Sequence, residues 1–195
     1  MITTSIQVQT AGAQAITTAQ GKQHIHVEYD TAADNTEIDN MIQAATQQVE
    51  AFTGRICMPT VIDFHLSGFP TGGIVLPFSP VTTLTSVKYY DSSNVQQTWA
   101  ATNYYVSLYE EPLRIRYVND SYPTVYQYRM DAVTVRFTCG YADADAVPRS
   151  MRQAILLKLG EYYGVRGDAV REKFTLWQMT CYHDRVFHTP NENAV

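Results

Sequence analysis

Apolar residues recur at helical spacing between Thr36 and Thr53, at Ile38, Met41, Ile42, Ala45, Val49 and Phe52, which predicts one amphipathic helix. Asp34 and Asn35 are suited to cap its start, Glu37 and Asp39 suit the positive end of its dipole, and Gly54 stands where a helix stops. A shorter helix is expected over Thr17–His24, with Gly21 working against it. The period then changes. Ile62, Phe64 and Leu66 alternate with polar residues and end at Gly68-Phe69-Pro70, a strand; Ile74-Val75-Leu76 is a second, short one. Leu84–Asp91 and Val95–Trp99 flank Ser92-Ser93-Asn94 as a hairpin, and Tyr104–Tyr109 and Leu113–Val118 flank Glu110-Glu111-Pro112 as another. Val133, Val135 and Phe137 alternate within Asp131–Tyr141. Helical spacing returns after Pro148, a first-turn residue, at Met151, Ile155, Leu156, Leu159 and Tyr163, and Gly164 and Gly167 end it. A last helix is expected over Lys173–His183, followed by a tail from His188.

Helix, sheet, helix without βαβ alternation predicts an α+β fold, a small helical bundle made of the N- and C-terminal helices with a central antiparallel β-rich insertion. The expected divisions are residues 1–56 as the N-terminal strand/helical segment of the bundle, 57–145 as the β-rich module, 146–187 as the C-terminal helices, and 188–195 as the tail.

Composition narrows the function. Charged residues are only 17% of 195, and the formal net charge is −5, which disfavours a nucleic-acid coat. Charge is also uneven. Residues 1–53 carry one cation, Lys22, against six anions, whereas Arg149–Val195 holds seven cations and five anions. Unlike ends of this kind suit a head-to-tail self-assembling subunit, with Glu37 and Asp39 facing Arg149 and Arg152 as the expected subunit-interface residues. Three widely spaced cysteines (Cys57, Cys139, Cys181) fit buried thiols in a reducing compartment, and no secretory signal or membrane helix is expected.

Catalytic patterns are sparse. The glycines form neither GxGxxG nor a P-loop, and no GxSxG elbow occurs. Cys181, His183 and His188 make a C-x-H-x4-H cluster that lacks a second ligand pair; it is the weak basis for a rival reading as a small metal-dependent enzyme. His24 and His26, two apart, are expected on opposite faces of a strand. Glu110-Glu111 belong to a turn, and Asp143 and Asp145 are expected to cap the helix after Pro148. No catalytic, metal or cofactor residue is assigned, and no cofactor is expected. The fourteen tyrosines, several in pairs, point to protein interfaces before base stacking, because cations are few among them.

Taken in order, Glu50-Ala51-Phe52-Thr53-Gly54-Arg55, Gly68-Phe69-Pro70, Ile74-Val75-Leu76-Pro77, Pro80-Val81, Ser86-Val87-Lys88-Tyr89-Tyr90-Asp91, Val133–Tyr141 and Val147–Leu157 resemble the head–tail connector (adaptor, or head-completion) family of tailed bacteriophages, from about Thr17 to Arg166. The resemblance implies a structural virion protein made in the bacterial host cytoplasm and located in the neck. There it would form a ring of about twelve copies beneath the portal that continues the DNA channel toward the tail. The implied partners are other copies of the chain, the portal protein, a stopper or tail-completion protein, and double-stranded DNA passing without sequence-specific binding; no membrane is involved. The C-terminal segment would dock on the portal through Lys173, Phe174, Trp177, Tyr182, Arg185 and Phe187. A stopper or tail-completion protein one ring further down is the neighbouring alternative.

Overall fold

The computed structural model describes residues 2–10, 12–27, 32–164 and 175–186. The fold is α+β, and the chain divides into two units, one helical and drawn from Ala13–Met58 and Tyr141–Arg185, the other drawn mainly from Met1–Gly12 and Pro59–Gly140 and built of sheets. Residues 1–12 therefore belong with the sheets and not with the bundle, where the sequence division had them.

In the helical unit, α1 spans Thr18–Ile25, α2 Ala32–Thr53, α3 Arg149–Gly164 and α4 Leu176–Thr180, with a 3₁₀ turn over Tyr182–Asp184. Thr17 closes a capping box on α1: its Oγ1 accepts from the Gln20 N–H at 3.3 Å, and Gln20 Oε1 accepts from the Thr17 N–H at 3.0 Å. The helix stops at His26, left-handed at φ 55°. Gly21 is there for packing, since a Cβ would lie 2.9 Å from Ile42 Cδ1 and 3.1 Å from Leu159 Cδ2, so its absence lets α1 cross α2 and α3 closely. Helix α2 begins a turn earlier than its apolar stripe suggests. Asp34 and Asn35 consequently lie inside it and do not cap it. At its other end Gly54, at φ 70°, donates to the Glu50 carbonyl at 2.8 Å. Asp143 does not cap α3 either. Its Oδ1 accepts from the N–H groups of Asp145 (2.9 Å) and Ala146 (2.8 Å), a local turn that leads into Pro148. Ile38, Ile42, Ala45 and Val49 of α2 pack with Met151, Ala154, Ile155 and Leu159 of α3 and with Trp177 and Cys181.

In the sheet unit the strands are β1 (Thr4–Thr10), β2 (Thr60–Leu66), β3 (Ile74–Val75), β4 (Val81–Tyr90), β5 (Gln96–Trp99), β6 (Tyr104–Val106), β7 (Arg114–Tyr117) and β8 (Val133–Cys139). One antiparallel sheet runs β1-β2-β8-β4-β5 and a second runs β3-β7-β6. Alternation fixes the register of the central strands: Ile62, Phe64 and Leu66 sit opposite Phe137, Val135 and Val133, all buried. The expected N-terminal strand/helical segment carried a strand without bounds, and the edge strand β1 lies within it. It pairs Ile6 with Phe64 and Val8 with Ile62, so its apolar residues continue the core side of the sheet while remaining about half exposed. Gly73 is forced by a close approach: at φ 112°, a Cβ there would lie 2.4 Å from the Ile115 carbonyl oxygen.

Candidate interaction surfaces

The tyrosines divide into two groups. Phe69 lies at the centre of an aromatic cluster, with ring centroids 4.9 Å from Trp99, 5.8 Å from Tyr117, 5.8 Å from Tyr122 and 6.1 Å from Tyr89. Tyr104 joins through Trp99 at 5.2 Å. The Tyr117 hydroxyl donates to the Pro70 carbonyl at 2.9 Å, and burial pushes that phenol well above its ordinary pKa. These rings hold the two sheets of the unit together; Phe69, Trp99 and Tyr117 are buried, Tyr89 and Tyr104 half-buried, and Tyr122 is 43% exposed at the edge of the cluster. Tyr105 on β6, Tyr109 in the segment that joins β6 to β7 and Tyr128 between β7 and β8 are exposed, Tyr109 almost completely at 98%. On the polar side of the larger sheet, Arg136 grips Asp63 with both arms, at 2.7 and 2.6 Å, and the Arg136 hydrogen bonds, more than its charge, hold the Asp63 carboxyl below the usual range against the effect of burial.

Helix α4 has two unlike faces. Trp177 is 7% exposed and meets Phe52 edge-on at 5.5 Å, and Cys181 beside it is buried. Burial first and the Asp184 charge second push the Cys181 thiol up to about 11. Lys158, also buried, holds Glu161 Oε1 at 2.8 Å and sits 4.7 Å over the Tyr162 ring and 5.6 Å over Trp177. The opposite face presents Leu176 (66% exposed) and Met179 (65%); beyond the helix, half-exposed Tyr182 and exposed Arg185 lie against Phe52, the Tyr182 ring 6.5 Å from it and the Arg185 guanidinium 4.9 Å over it. The turn after α4 is pinned: Arg55 Nε donates to the Asp184 carbonyl at 2.6 Å, and the Ser150 hydroxyl donates to the Asp184 carboxylate. Glu50 Oε1 accepts from the Cys57 N–H at 2.7 Å; burial raises the Glu50 carboxyl, and burial followed by the Glu50 charge raises the Cys57 thiol.

A third feature is a cleft of about 380 Å³ between α1 and α3, floored by Ile16 and Leu156 and lined by Gln20, Gln23, His24, His26 and Arg152. His24 and His26 are thus not on opposite faces of a strand. One is helical, the other is the left-handed residue that ends the helix, and that turn brings both to the same cleft.

The expected site residues fall unevenly on these features. Trp177 belongs to the helical core and is not presented to a partner, because its ring is committed to Phe52; the signal that distinguishes it is its position four residues from buried Cys181. Tyr182 and Arg185 are exposed on the α4 side, whereas Lys173, Phe174 and Phe187 lie outside the described residues, as does His188. Leu176 and Met179, the most exposed apolar pair of α4, were missed. Glu37 and Arg149 are exposed. Asp39 accepts a 2.5 Å hydrogen bond from the Thr18 hydroxyl, and Arg152 pairs with Asp145 at 3.2 Å. Cys181 Sγ lies against the Trp177 carbonyl at 3.3 Å and His183 beside Asp184 at 3.3 Å; among the described residues no three His, Cys, Asp or Glu side chains gather as a metal site. Nor is any described helix long and apolar enough to cross a membrane.

No protein-family description matches the sequence, and no curated protein matches it. Solved structures do. A chain from the neck of an empty gene transfer agent (GTA) particle, computed with C6 symmetry, superposes with a TM-score of 0.81 at 21% identity, over 97% of this chain and 99% of that one. This chain shares its fold. A chain from the virion of the native particle gives 0.80 at 21% identity over 96% and 98%, and one from the neck of the native particle, computed with C12 symmetry, gives 0.75 at 20% identity over 96% and 99%.

Proposed function

We propose that the chain is a structural neck protein of a tailed phage or phage-like particle, one of a ring of about twelve copies that sits beneath the portal and continues the DNA channel toward the tail. The observation that carries this reading is the end-to-end likeness to chains of the GTA neck and virion, over 96–97% of this chain and 98–99% of theirs. The necks were computed with C12 symmetry in one case and C6 in another, and a ring of twelve is compatible with both. The protein works by binding and shape, makes and breaks no bond, and lets double-stranded DNA pass without gripping its phosphates, for which a net charge of −5 is suitable. It is made in the host cytoplasm and ends in the virion neck, with a stopper or tail-completion protein below it.

The portal-facing surface in this reading is the exposed side of α4. Leu176, Met179 and Tyr182 form an apolar strip with Arg185 at its end, the anchor-plus-cation make-up of an interface centre. Purified chain mixed with portal rings should add one layer of density in negative stain, and the Leu176→Ser/Met179→Ser pair should lose that layer while keeping the wild-type circular dichroism spectrum. Particles that carry no copy of the chain in their necks would end the reading; a chain that joins the neck but ignores the portal would move it to the stopper position.

A further inference from the structure

We infer that the cleft between α1 and α3 is a carboxylate-binding self-interface that receives the acidic start of α2 from a second copy of the chain. The cleft offers the guanidinium of Arg152, the imidazoles of His24 and His26 and the amides of Gln20 and Gln23, and no carboxylate is among its lining residues. A planar guanidinium flanked by further donors is the chemistry that recognises a carboxylate. Among the described residues the ion pair of Arg152 is with Asp145, a 3.2 Å contact to a side chain 95% exposed, and a surface pair of that kind contributes little and exchanges readily.

The occupant is argued from charge complementarity within the same chain. The first 53 residues hold six acids against one lysine, and of the acids at the start of α2 Glu37 is exposed, while Asp39 is already tied to Thr18. Neither lines its own chain's cleft. A donor-rich cleft and an acidic helix start on one subunit are two different patches, so their union between copies is heterologous, head to tail, and propagates toward a ring. The inference deepens the ring reading above and rests on it for closure.

Gln23 and Asn40 are both exposed, and Asn40 lies one helical turn from Glu37, so cysteines there leave both the core and the recognised carboxylate in place. Brief oxidation of the full-length Gln23→Cys/Asn40→Cys chain should give a ladder of disulfide-linked dimers, trimers and higher species on non-reducing gels, while each single variant and the wild type, whose three thiols are buried, stay monomeric. Adding Arg152→Glu should suppress the ladder by about tenfold or more. Absence of a ladder from a chain that still rings the portal overturns the cleft interface and spares the ring reading; a ladder from a chain that never joins the portal does the reverse. Loss of duplex-DNA binding in Arg152→Glu, with no effect on the ladder, would make the cleft a phosphate site and refute the proposal.

Discussion

Replacing Trp177 with alanine is the most direct test of how α4 is held. An aromatic side chain of this size buries about 150–250 Å², worth about 4–6 kcal/mol at ~25 cal/mol per Å² as an upper bound. The edge-on contact with Phe52 at 5.5 Å adds roughly 1 kcal/mol. Against this, the Cβ remains, and a five-residue helix can settle partly into the space. The expected loss is about 3–5 kcal/mol. Lys158, which lies over the Trp177 ring, also loses part of its cover in the variant. Urea unfolding followed by far-UV circular dichroism reads the loss as a lower midpoint at nearly constant slope. Leu176→Ala and Met179→Ala, on the other side of the same helix, should each change stability by less than about 0.5 kcal/mol. A Trp177→Ala cost below about 1 kcal/mol would mean that α4 is not anchored by this ring, and the division of the helix into a core face and a docking face would fall with it.

Two further outcomes are expected. Because Arg136 holds Asp63 below the ordinary aspartate value of 3.8, the pair contributes stability above that pH and the contribution is lost as pH falls through the depressed value; Asp63→Asn should therefore melt earlier than wild type at pH 7, with the gap closing in acid, and a gap independent of pH would refute the ion pair. All three cysteines are buried, with Cys181 pushed up to about 11, so a thiol-reactive disulfide reagent at pH 8 should label none in the native protein and three on unfolding; rapid labelling of Cys181 would show that α4 opens readily.

Much of the fold was legible because it rests on periodic burial. The stripe Ile38–Phe52, the alternation around Val135 and the stop at Gly54 each correspond to an observed element. The place and pairing of strand β1 were not legible: most of its residues are Thr, Ser and Gln, and with Ile6 and Val8 only half covered the alternation is too weak to stand out. The docking surfaces were harder still. Trp177 and Leu176 are adjacent in sequence, and only the packing of Phe52 and Cys181 shows which of the two turns inward. His24 and His26 look like a strand pair until the left-handed residue at the end of α1 is known. The tyrosines carry no local mark that separates the Phe69 cluster from exposed Tyr105 and Tyr109.

The order of the segments has a consequence for biosynthesis. The helical unit opens with α1 and α2 but is completed only by α3 and α4, after the whole run from Pro59 to Gly140 has been made. On the ribosome α2 must therefore wait with Ile38, Ile42 and Val49 uncovered while some eighty residues of sheet emerge, and β1 waits likewise for β2. A nascent chain stalled before Arg149 would display an unsheltered greasy helix, the kind of intermediate that chaperones retain, so the slow and vulnerable stage of its maturation should fall late in translation.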